Sequence, residues 1–65
     1  MSVQVMEAYV GVKKALFSLW DTGYAEGLDE DFMLADSKDF VAEQFGGKRM
    51  DAVVEQIWKE WKEQR

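Results

Sequence analysis

The sequence predicts an all-α fold, a small three-helix domain, and three observations carry that prediction. Apolar residues recur at spacings of three and four through most of the chain, whereas period-2 alternation is confined to the short run "SVQVM". No proline interrupts the pattern. Four of the five glycines sit where one helix has to hand over to the next, at residues 23 and 27 and at residues 46 and 47.

The first helix is expected over residues 3–21. Gln4, Glu7, Gly11, Lys14 and Ser18 fall on one stripe, and the positions between them are almost all apolar, with Lys13 the interruption. That apolar arc sweeps roughly 240 degrees, against the 100 degrees or somewhat more that a surface helix buries. So short a downstream chain is not expected to cover it, and a second copy is expected to take the remainder. Val3, Met6, Val10, Phe17 and Trp20 are the candidate oligomer-interface residues.

Residues 22–27 read as the break after this helix, and residues 29–35 as a short helical turn with Asp29, Glu30 and Asp31 near its N-terminus. A second helix is then expected over residues 36–45. Asp36 would be its N-cap, Asp39 would hold the third helical position, and Ala35 and Phe40 would form a weak hydrophobic staple. Gly46 and Gly47 end it. The third helix, residues 49–64, is the clearest amphipathic one: Met50, Val53, Val54, Ile57 and Trp61 share a face, with Trp58 at its edge. Glu55–Lys59 and Lys59–Glu63 have the spacing of stabilising pairs, and Lys62 and Arg65 suit the C-terminal end of the dipole.

Length and composition set limits. A chain of 65 residues makes a single domain, residues 1–65, of a size that buries only about 60% of its unfolded surface. With no cysteine and no histidine, disulfides, thiol chemistry and zinc-finger sites fall away, leaving tight helix packing or oligomerisation as the source of stability. A content of 48% hydrophobic and 14% aromatic residues argues against disorder. No apolar run approaches the roughly 18 residues that span a bilayer, and "MSVQVMEAYV" lacks a basic start and apolar core, so a cytoplasmic protein without membrane association is expected.

The net charge of -5 is concentrated. Residues 21–39 carry seven carboxylates (Asp21, Glu26, Asp29, Glu30, Asp31, Asp36, Asp39) against the single base Lys38, while six acids and seven bases share the rest of the chain. Such a stretch repels phosphate backbones and steers basic partners.

Four chemistries could make use of this sequence. A calcium loop beginning at Asp29 finds Asp31 at its third position but Met33, Leu34 and Phe40 at the fifth, sixth and twelfth, so the EF-hand pattern fails. The run "DFVAEQFGGKRMDAVVEQIW" superficially resembles a helix-turn-helix, yet its would-be recognition helix carries Asp51, Glu55 and Glu60, so no direct contact with nucleic acid is expected. "LADSKDFVAE" resembles the carrier-protein signature, in which a serine after aspartate opens a helix and accepts a phosphopantetheine arm. It departs from that signature where Lys38 replaces the usual leucine. The resemblance implies modification at Ser37, and its alternative is a plain helix start. Acid-base catalysis without histidine would need carboxylates in contrasting environments, and the sequence clusters them in one polar stretch.

The expectation is therefore a non-enzymatic module for protein-protein interaction, with no cofactor and no metal, acting as a regulator or inhibitor on a basic partner surface. Asp36, Asp39 and Asp29 have helix starts to serve. The partner-binding candidates are Asp21, Tyr24, Glu26, Asp29, Glu30 and Asp31, with Trp58 and Lys62 from the last helix. A carrier modified at Ser37 and a purely structural homo-oligomer are the alternatives.

Overall fold

Three α-helices make up the chain in the computed structural model, which describes residues 3–64, with side chains from Met6 onward. They are α1 (Val3–Ala25), α2 (Glu30–Gln44) and α3 (Asp51–Glu63), and no strand occurs among the described residues. All three pack on one another.

α1 runs four residues beyond its expected end because Gly23 does not break it. Gly23 is buried, and a Cβ there would lie 2.5 Å from Met33 Sδ and 3.3 Å from Leu28 Cδ1. The glycine is where the start of α2 crosses close against α1, and Thr22 beside it returns its hydroxyl to the Ser18 carbonyl at 3.0 Å, as helical threonines do. The reversal falls instead on Gly27, whose φ of +79° only glycine adopts without cost.

α2 corrects the expected division at residue 36. The separate turn and second helix are one continuous helix, and its N-cap is Asp29: Oδ2 accepts the Phe32 backbone N–H at 3.1 Å. Asp36 therefore lies in the helix interior and caps nothing. Both aspartates precede a plausible apolar register, but Asp29 follows a glycine turn that frees it for the extended backbone an N-cap needs, with ψ at 135°. Gly46 and Gly47 end α2 as expected, the Gly47 N–H returning to the Ala42 carbonyl at 2.7 Å.

The core is a single cluster of Leu16 and Trp20 from α1, Met33 and Val41 from α2, and Val54, Ile57 and Trp61 from α3. Tyr9, Val12, Phe17, Leu34, Met50, Val53 and Trp58 pack around it. Three tryptophans dominate the α1–α3 contact: Trp20 meets Trp58 edge-on with ring centroids 4.9 Å apart, and Trp61 lies 5.6 Å from Trp20 and 5.1 Å from Trp58. Edge and tilted geometries suit the ring quadrupoles and add roughly 0.5–1.5 kcal/mol per pair beyond area burial. Trp20 is wholly enclosed by its own chain, which corrects its assignment to an oligomer interface. Its indole N–H has no hydrogen-bond partner among the described residues, so packing has to offset about 1–3 kcal/mol of lost solvation.

Candidate functional site

The acidic stretch is the natural place to begin, and the structure divides it. Asp21 accepts the indole N–H of Trp61 at 2.9 Å, a charge-assisted bond that fixes the ring in the core. Asp29 is the cap of α2. Glu30 holds Lys62 with both carboxylate oxygens at 2.8 Å, and Lys62 also lies 5.9 Å from the centre of the Trp58 ring. Asp39 takes Arg49 at 2.7 Å, and the same guanidinium reaches Asp51 at 3.1 Å. These bonds, that to Asp39 first, push the Arg49 guanidinium further above its ordinary value.

Four of the seven carboxylates in residues 21–39 thus have structural partners. Three of them, Asp21, Asp29 and Glu30, are partner-binding candidates in the sequence reading, and for Asp21 and Glu30 the internal partner is remote. No local signal could have shown this, because Trp61 and Lys62 lie 40 and 32 residues away. On α3, Glu55 likewise turns to Lys38 on α2 at 2.9 Å rather than to Lys59.

The carboxylates left over are Glu26, in the turn, and Asp31 and Asp36 on α2, all exposed and none with a hydrogen bond or ion pair among the described residues. Glu43, the last residue but one of α2, joins them. Asp36 and Glu43 share a stripe with two aromatic residues. Positions 32, 36, 40 and 43 follow one another at helical spacing; 32, 36 and 43 lie on the side of α2 away from Ser37 and Val41, and Phe40 holds the edge of the stripe that borders α1. Phe32 is 59% exposed and Phe40 40% exposed. α2 therefore buries one apolar face and presents another, which a helix shielded only on one side does not need.

Phe40 also opens onto a shallow groove between α1 and α2, lined with Ala8, Gly11, Ala15 and Phe45. A smaller cavity of about 170 Å³ lies between α1 and the start of α3, among Tyr9, Val12, Met50 and Val53. It falls below the roughly 300 Å³ at which ligand sites begin, and no carboxylate, lysine or arginine lines it.

Tyr24 is exposed, with its ring edge-on to Trp61 at 6.3 Å. Trp58 is half-buried against the core. Met6 and Val10 are exposed on α1, Phe17 is half-buried beside Trp20, and the side chain of Val3 lies outside the described ones.

Ser37 has the opposite setting from a carrier serine. It sits in the middle of α2, fully buried, and its Oγ donates to the Leu34 carbonyl at 2.8 Å. An attachment serine has to stand exposed at a helix start, so the resemblance of "LADSKDFVAE" stops at the sequence. Among the described residues no cluster of three or more carboxylates is arranged to hold a metal ion, and no helix is long and apolar enough to cross a membrane.

Fold and surface together define a small three-helix domain with an acidic, aromatic outer face on its central helix. Compared with known proteins, the chain matches no family model, no curated protein and no solved structure.

Proposed function

We propose that this protein is a non-enzymatic binding module that uses the outer face of α2 to engage a basic, partly apolar surface on another protein. The observation that carries the reading is the exposure of Phe32 and Phe40 on one stripe with Asp36 and Glu43, two carboxylates with no partner among the described residues. Aromatic side chains bury much area while ordering few torsions, and surrounding carboxylates select and steer a cationic partner. The most concrete form is a small regulator or inhibitor that occupies a basic site on its target. An acidic face of this kind disfavours direct contact with nucleic acid.

Selection from a displayed library of random peptides tests this without knowing the target. Sequences enriched on the protein are expected to combine Lys or Arg with apolar residues, to lose affinity as salt is raised, and to lose it on the variant Phe32→Ser/Phe40→Ser. Enrichment without a basic bias, or enrichment that survives the double substitution, would contradict the assignment.

A further inference from the structure

We propose that the chain docks onto a second copy of itself through the N-terminal half of α1, the two helices antiparallel with Val10 and Gly11 at the twofold axis. This face borders the groove beside Phe40 only at Gly11, and the inference does not depend on the function proposed above.

The face is built from α1 alone. Met6, 54% exposed, and Val10, 47% exposed, lie along a shallow groove completed by Glu7, Gly11 and Lys14. Cover from α3 stops at the neighbouring residues Tyr9 and Lys13, which meet Glu60 at 3.2 and 3.5 Å.

Charge selects the occupant. Glu7 and Lys14 flank the apolar pair along the helix, both exposed and neither with a partner among the described residues. Seven residues of rise place them about 10 Å apart, too far to pair with each other. A twofold axis between residues 10 and 11 that inverts the helix direction brings Glu7 opposite Lys14 of the second copy, and Lys14 opposite its Glu7. Both ion pairs form together, as a self-complementary interface requires. A parallel arrangement would set Glu7 against Glu7 and Lys14 against Lys14, so the charges choose the antiparallel direction.

Shape points the same way. The same operation sets the branched Val10 of one copy against the bare backbone of Gly11 in the other. A Cβ on Gly11 would meet nothing within 4 Å among the described residues, so internal packing there gives the glycine no purpose, whereas a second backbone approaching closely does. One helix pair of this length buries less than the roughly 800 Å² per partner of a standard interface, so the dimer forms and dissociates with concentration.

Sedimentation equilibrium of the full chain over a wide concentration range is the test, with circular dichroism on each variant. The mass is expected to rise from one chain toward two. Glu7→Lys should raise the dissociation constant about tenfold or more, and Glu7→Lys/Lys14→Glu in one chain should bring it back to within about threefold of the original. A monomer at every concentration, a dimer indifferent to Glu7→Lys, or a double swap that fails to restore it would each overturn the proposal. A second measurement avoids charge changes: the chain has no cysteine, so a spin label on Ser18→Cys is unique. Mixed with isotope-labelled wild type, it should broaden amides of residues 3–7 in the other copy. Broadening centred on residue 18 would mean a parallel pair, and no broadening would mean no contact here; either result refutes it. These substitutions leave α2 untouched, so failure here says nothing against the peptide-binding face.

Discussion

Gly11 and Gly23 occupy the same helix and the same residue type, and their surroundings give them opposite roles. Each interior glycine costs about 1 kcal/mol of helix stability relative to alanine. At Gly11 nothing among the described residues opposes an added methyl group, so Gly11→Ala is expected to raise the stability of the monomer by about that amount. At Gly23 the new Cβ would press on Met33, itself buried and short of room to move, and on Leu28. Overpacking costs typically 1–3 kcal/mol, which exceeds the propensity gain, so Gly23→Ala is expected to lower stability. Urea unfolding of the two variants decides it, and shifts of the same sign would show that the α1–α2 approach is looser than described. Tyr9 makes a second prediction at this scale. Its hydroxyl donates to Glu60 at 3.2 Å, and burial first, then the bond and charge of Glu60, raise its pKa above the ordinary 10.0. A raised folded value means that the unfolded chain loses this proton first as pH climbs. The contribution is thus complete below the ordinary value and disappears as pH rises through the folded one. Stability measured by urea unfolding across that alkaline range is expected to fall more steeply for the wild type than for Tyr9→Phe. Identical slopes would mean the Tyr9–Glu60 bond contributes nothing.

α2 is the element whose reading matters most, since its continuity decides which residues face outward. If a helix began at residue 36, proline there would be tolerated at or near the N-terminus. In the continuous helix, Asp36→Pro removes the bond from its N–H to the Phe32 carbonyl and crowds that turn, at a cost of about 3 kcal/mol. For a chain of this size, whose whole stability is on the order of 5 kcal/mol, that is a large share. Loss of most helical ellipticity, or a much lower urea midpoint, is the expected outcome; a wild-type melt would restore the helix start at 36. The boundary was hard to read because α2 carries apolar residues beyond its core face: Met33, Leu34 and Val41 inward, Phe32 and Phe40 exposed. Its periodicity was blurred by Phe32, which points outward, and Phe40, which borders the α1 groove, the same residues that make this surface a binding candidate. α3 has one clean apolar face, and its expected and observed spans differ by only a residue or two.

Across the whole molecule, the three-helix architecture was legible because it follows from local spacing and glycine position. The use of each charge was not, because it follows from distance in space. Asp21 and Trp61, Glu30 and Lys62, Lys38 and Glu55 are joined only after the helices have packed. The ion pairs are at least partly exposed and add little individually to stability, so the core cluster holds the fold and the outer surfaces are free to vary in purpose. The acidic stretch turned out to be half structural, and what it leaves over combines with two phenylalanines that no charge count would have singled out. Chemical-shift mapping of the isotope-labelled protein, titrated with a helical peptide of alternating lysine and leucine character, decides whether this stripe of α2 binds. Binding there predicts saturable shifts grouped at Phe32, Asp36, Phe40 and Glu43, weakened by salt and absent in Phe32→Ser/Phe40→Ser. Shifts spread over the whole surface, or centred on the turn carboxylate Glu26 and the end of α3, would contradict it.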